Sequence, residues 1–162
     1  MKALTIYQPY ASLVAVRAKR FDTHTWYTSY RGPIAIHAAK KRVEDVLDEM
    51  FPDYITPFEV AFVSTIRVIL GQEGDLPHGA IIAKAQLVGC YKISHIQETA
   101  GTPIEVGYWK QGGMVWCDIS EQEQLFGNWS AGNYAWELQN VIPLDEPIPC
   151  RGYQRIWNWD ER

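Results

Sequence analysis

Lys19, Asp22, His24 and Trp26 put an amine, a carboxylate, an imidazole and an indole within eight residues. If Phe21 to Tyr27 is extended, alternation sends Asp22, His24 and Trp26 to one face and Thr23, Thr25 and Tyr27 to the other. An indole can stack on a nucleobase, a carboxylate accepts from an exocyclic amine, and an imidazole donates or accepts. The same spacing also fits an edge strand with Trp26 in a core and Asp22 and His24 in water. Lys19, three residues before Asp22, can form an acid–base pair with it across a turn if burial moves their pKa values toward neutrality. As a surface ion pair the two would contribute under about 1 kcal/mol. Arg31 followed by Gly32 offers a guanidinium fork beside a backbone that a phosphate or carboxylate can approach, or simply an exposed arginine on a tight turn. His24, His37, His78 and His95 lack metal-ligand spacing, and no glycine-rich phosphate loop is present, so no metal and no cofactor are expected.

Charge favours one end of the chain. Residues 1–42 carry eight Lys or Arg against a single acid, Asp22, whereas the remaining 120 residues carry seven against eighteen. Only the first segment offers an anion a field. A net charge of −4 and a pI near 5.5 argue against a protein that coats nucleic acid indiscriminately and for a local site. The 162 residues, 47% of them hydrophobic, suffice for one core, so a single domain over 1–162 is expected. Without a long apolar run or a signal-like start, the expected setting is cytoplasmic and away from membranes. Cys90, Cys117 and Cys150 are odd in number and widely spaced, which predicts reduced thiols.

The elements that must position these groups follow from periodicity and punctuation. A first strand is predicted over Ala3 to Gln8, ended by Pro9. A helix over Tyr10 to Lys19 would place the basic cluster at its C-terminal end, where the helix dipole favours cations. Tyr30 to Pro33 reads as a turn into a strand over Ile34 to Ala38, and Lys40 to Phe51 as a surface helix ended by Pro52. Ile55 to Leu70 reads as a helix, with strand left open by its β-branched residues. Gly71 to Pro77 is predicted as loop and Gly79 to Ile93 as the longest strand, with a bulge at Gly89. Gln97 to Gly113 reads as loop and Met114 to Cys117 as a short strand. Ser120 and Glu123 form a capping-box signature. Tyr134 to Pro143 is the next strand, and Ile148 to Trp159 the last segment. Together these predict an α+β fold: a small β-barrel with flanking helices, not a doubly wound parallel sheet.

Longer stretches carry a family resemblance. They are Thr5-Ile6-Tyr7-Gln8-Pro9-Tyr10-Ala11, Lys19-x-x-Asp22-x-His24-x-Trp26 and Tyr30-Arg31-Gly32-Pro33-Ile34-Ala35-Ile36-His37-Ala38-Ala39-Lys40. Further on come Leu76-Pro77-His78-Gly79, Phe126-Gly127-Asn128-Trp129 running to Tyr134-Ala135-Trp136, and Gly152-Tyr153-Gln154 with Trp157-Asn158-Trp159. In this order they resemble ASCH-domain proteins, which are similar to PUA domains. The resemblance implies a PUA-like barrel whose cleft binds RNA, lined by a Gly-x-Lys-x-x-Glu-x-Arg motif. Lys19 keeps the motif's lysine, while Arg17, Asp22 and His24 replace its Gly, Glu and Arg. Asn133 stands where an Arg is usual, and Arg155 where a Gly is usual.

The resemblance makes Gln8, Pro9, Lys19, Asp22, His24, Trp26, Arg31, Gly32 and Lys40 the expected ligand-binding set. Lys19, Arg31 and Lys40 would face phosphate, and Asp22, His24 and Trp26 the base. The expected partner is RNA, another single-stranded nucleic acid or a nucleoside. Some family members resemble amidohydrolases that deacylate N4-acylated cytidine through a lysine, a threonine three residues on and a distant glutamate. Here Lys19, Asp22 and either Glu121 or Glu123, with Glu123 taken as the working choice, would fill those places. Others resemble ribonucleases.

Overall fold

The computed structural model describes residues 1–50, 57–71, 76–97, 104–110 and 113–161. In chain order the elements are β1 (Lys2–Ile6), α1 (Tyr10–Ala15), β2 (Phe21–His24), β3 (Gly32–Ala38), α2 (Val43–Met50), α3 (Pro57–Leu70), β4 (Ala80–Gln97), β5 (Ile104–Lys110), β6 (Gly113–Ile119), α4 (Glu121–Leu125), β7 (Tyr134–Pro149) and β8 (Ile156–Asn158). The hydrogen-bonded strand order is β2-β7-β4-β3-β1-β8, and β5 and β6 branch off through β4. The fold is therefore mixed α+β, with β1 parallel to β3 and antiparallel to β8.

The expected closed barrel is corrected to an open sheet. Among the described residues the path ends at β2 and β8, which do not pair with each other. These strands are only four and three residues long. So few residues cannot supply the staggered register that closure requires.

The chain divides into two compact units, one of Met1–Ala18, Pro33–Gln86 and Asn140–Arg162, the other of Lys19–Gly32 and Leu87–Gln139. In the first unit Ala3 faces Ala35 across β1 and β3, and Ile81 and Trp159 complete the cluster. Two alanines opposite each other leave room for the indole of Trp159, which is buried with them. The helix predicted to reach Lys19 stops at Ala15, because Arg17 takes a left-handed conformation at φ 64°. The Arg17 and Ala18 N–H groups close this turn onto the Val14 and Leu13 carbonyls. The dipole rationale for the downstream basic residues thereby falls away. Arg155 is likewise left-handed, at φ 60°. Both arginines occupy positions where the family resemblance leads one to expect glycine, the residue this conformation suits best.

The predicted Lys40–Phe51 helix is α2, and the helix reading wins for α3; Phe51, Pro52, Ile55 and Thr56 lie outside the described residues. The α2 helix also supplies acids to two of the basic segment's eight cations. Lys41 pairs with Glu49, and Arg42 lies 3.3 Å from Glu44 and 4.0 Å from Asp45.

In the second unit β2 pairs with the start of β7, and β5 and β6 form an antiparallel hairpin. Phe21, Ile93, Val106, Ile119, Trp129 and Ala135 form its core. The strand β5 replaces part of the loop expected over Gln97 to Gly113. Its sequence carries strand formers, Ile104, Val106, Tyr108 and Trp109, around Gly107, and pairing with β6 holds them as a strand. In the β4–β5 pairing an irregularity falls between Ile93 and His95. At Gly89 a side chain would overlap the ring of Tyr91, so close approach explains the glycine.

Candidate functional site

Strand β2 sorts its side chains as alternation requires. Phe21 points into the core against Trp129, with ring centroids 5.6 Å apart. On the same face, Thr23 Oγ1 accepts from the Asn128 N–H at 2.8 Å. Asp22 and His24 take the opposite face. Asp22 stands directly across from Trp136 in β7, so the indole shares their face.

Lys19 is 1% exposed. Its ammonium donates to the carbonyl oxygens of Phe21 and Phe126, both at 2.5 Å, and lies 3.6 Å from Asp22 Oδ1. On the other side, Asp22 Oδ2 is 2.9 Å from His24 Nε2. Burial alone would raise the Asp22 pKa, but His24 and Lys19 outweigh it and hold the carboxyl below its ordinary value. The result is a chain from buried ammonium through carboxylate to imidazole, with side-chain exposure rising from 2% at Lys19 to 11% at Asp22 and 19% at His24.

The aromatic wall continues from the imidazole. His24 and Trp136 ring centroids are 4.3 Å apart, Trp26 and Trp136 4.5 Å, and His24 and Trp26 5.3 Å. Trp136 is fully buried, and its Nε1 has no hydrogen-bond partner among the described residues. An enclosed donor left unpaired costs about 1 to 3 kcal/mol.

Of the two acids weighed for the distant position, Glu123 faces this cluster and Glu121 is exposed. Ser120 caps α4 by accepting from the Glu123 N–H at 3.2 Å. The Glu123 carboxylate does not reach back to the cap as a full capping box would; it accepts from the Arg20 backbone N–H instead. Burial pushes its pKa up, partly offset by the Arg20 and Phe21 N–H groups and the Lys19 charge. Its Oε2 has no partner among the described residues.

Lys19, Asp22, His24, Trp26 and Glu123 thus gather in one unit, and Trp136 joins them. Trp136 enters the sequence reading only through the Tyr134-Ala135-Trp136 stretch that carries the family resemblance. Its signal was the alternation Tyr134, Trp136, Leu138, which fixes a face but not the partner strand. Arg31 and Gly32 lie in the same unit. Arg31 is exposed and donates through Nη1 to Thr28 O at 3.0 Å and Tyr30 O at 2.6 Å, and Gly32 has φ 131°. Gln8, Pro9 and Lys40 belong to the other unit. There Gln8 is fully buried, its amide donating to Ser12 Oγ and Pro77 O and its carbonyl accepting from the Ser12 N–H. Pro9 is buried, and Lys40 is exposed beside Gly79. No helix among the described residues is long and apolar enough to cross a membrane.

Comparison with known proteins agrees with the sequence resemblance. A family profile described as ASCH domain matches residues 4–148. Over 98% of its length the chain is similar to Activating signal cointegrator 1 of Mus musculus, at 24% identity, and to the Homo sapiens protein of the same name, at 23%. It spans 22% of the length of each of these relatives. With a profile match over most of its residues, the chain belongs to the ASCH domain family.

Proposed function

We propose that the face formed by Asp22, His24, Trp26 and Trp136 binds a nucleotide or a base of single-stranded nucleic acid. The observation that carries this reading is the fixed carboxylate: an enclosed anion, clamped by Lys19 and His24, set beside two indoles. A purely structural ion pair needs no aromatic wall, whereas a base needs both a surface to stack on and a polar group to read its edge. The unpaired Trp136 Nε1 adds a buried donor for which a ligand atom or a water is the natural acceptor. Arg31, exposed in the same unit, is the phosphate-facing residue of this reading. Lys19 becomes the clamp and not a phosphate contact, since it is enclosed by two carbonyls. Calorimetric titration with short RNA, single-stranded DNA and free nucleotides tests the proposal. Binding that weakens in Trp26→Ala supports it, and absence of heat with every ligand rejects it.

A second reading, hydrolysis of an N4-acylated cytidine or a related modified nucleoside, is favoured by Glu123. Its carboxyl is shifted upward toward the range of a general acid, with the Lys19 charge acting on both it and Asp22. Incubation with N4-acetylcytidine, followed by chromatography for cytidine, tests it. Release that persists unchanged in Glu123→Gln removes Glu123 from the reaction.

A further inference from the structure

We propose that Asp22 selects the base at this site, admitting cytosine and adenine, which carry an exocyclic amine, over the keto bases uracil and hypoxanthine. The inference rests on the nucleotide-binding reading and adds to it what the bound edge must present.

The argument starts from the lone pairs of one carboxylate. Oδ1 faces the Lys19 ammonium at 3.6 Å and Oδ2 the His24 imidazole at 2.9 Å. Each oxygen can accept twice, so directions remain for a ligand while both existing partners stay in place. The two groups flank the carboxylate on both oxygens, and only 11% of the side chain is open. A ligand therefore meets a charged acceptor that presents little surface.

What that acceptor tolerates depends on its protonation. A neutral carboxylic acid could donate to a keto oxygen or accept from an amine, and would not distinguish the two. His24 and Lys19 oppose the effect of burial and keep Asp22 in its charged form, which accepts only. An amine hydrogen fits there. A keto oxygen would set its lone pairs against an anion in a space with little room for water to intervene. The half-buried Trp26, packed against the enclosed Trp136, cannot make this distinction, because every base has a π-face to stack. Trp26 thus supplies affinity, and the clamped carboxylate supplies identity.

Titrating the full chain by calorimetry with CMP, UMP, AMP and IMP at neutral pH reads the selection directly. The expected result is CMP over UMP and AMP over IMP by about tenfold or more. In Asp22→Asn, whose amide offers a donor and an acceptor and can flip to present either, each preference should shrink to within about threefold. The inference is overturned if the wild-type chain binds all four within about threefold while Trp26→Ala still weakens them; the site would then be real and Asp22 not its selector. If none of the four binds, the nucleotide reading falls and this inference falls with it. The wild-type series decides the matter even if Asp22→Asn fails to fold.

Discussion

Asp22 and Trp136 face each other directly across the β2–β7 pair, a carboxylate opposite an indole with no exposed surface. That register brings one acid, one imidazole and one indole onto a single face, with Trp26 packed onto it from beyond the end of β2, and most of what can be tested about the site follows from how each is held.

Lys19 is held most tightly. Its removal strips the Phe21 and Phe126 carbonyls of a donor and leaves Asp22 an enclosed anion with one partner fewer. Lys19→Ala should cost about 3 kcal/mol of stability, read as a lowered denaturant midpoint. A loss under about 0.5 kcal/mol, the size of an ordinary surface substitution, would mean that the ammonium does not bridge those groups.

Trp26 is only half-buried, so its truncation should act on binding far more than on folding. Trp26→Ala is expected to weaken nucleotide affinity by about 1 to 3 kcal/mol, and Trp26→Phe by less, since a smaller ring still stacks. Thermal unfolding should stay close to wild type in the phenylalanine variant. Equal losses in both variants would point to a hydrogen bond from the indole nitrogen instead of stacking.

Arg31 should contribute charge without base identity. In Arg31→Ala the slope of log affinity against log salt for single-stranded RNA should fall by about 0.7, the value of one released counterion. An unchanged slope with unchanged affinity would take Arg31 out of the interface.

Glu123 and Asp22 should bend the stability curve in opposite senses. The Glu123 carboxyl is raised in the folded protein, so its contribution is full below its unfolded value of about 4.3 and is lost as pH rises through the folded value. Asp22 is lowered, so its contribution is full above about 3.9 and is lost as pH falls through its folded value. Glu123→Gln should therefore flatten any fall in melting temperature on going from pH 4 toward 7, whereas Asp22→Asn should flatten the acid-side fall below about pH 4. Superimposable profiles for wild type and Glu123→Gln would show that its ionisation is not linked to folding.

Arg17 offers a backbone test. Its left-handed conformation costs about 1 kcal/mol, set against a 3.0 Å bond from its Nε to the Val141 carbonyl. Arg17→Gly should come out near neutral, because relief of strain offsets the lost bond and the added freedom of the unfolded chain. Arg17→Val, which keeps the strain and loses the bond, should destabilise by about 2 kcal/mol.

Alternation along Phe21 to His24 and the Ser120 cap were legible because both are local rules, satisfied within a few residues. The face shared by Asp22 and His24 could be read in advance. Its depth could not, because nothing near Lys19 announces that Phe126, 107 residues away, supplies a carbonyl to its ammonium. The same holds for Trp136, whose neighbours across the sheet depend on which strands pair. The helix end at Ala15 was missed because Arg17 adopts a conformation that sequence assigns to glycine. The open sheet was missed because strand count alone does not reveal that the strands at its ends are too short to close it. Charge misled in part: Lys41 and Arg42 looked available to an anion until α2 put its own acids beside them.

The strand pairings also set an order in time. β1 pairs early with β3, but its other neighbour is β8, with Lys2 across from Asn158, and β2 pairs with β7, with Phe21 across from Glu137, so both wait on distant segments to be completed. On the ribosome, β1 and β2 emerge long before either can be completed, leaving hydrogen-bonding edges and apolar side chains such as Leu4 and Phe21 uncovered in the interval. Contacts this distant in sequence slow the search for the native state. Completion of the sheet thereby waits on β7 and β8.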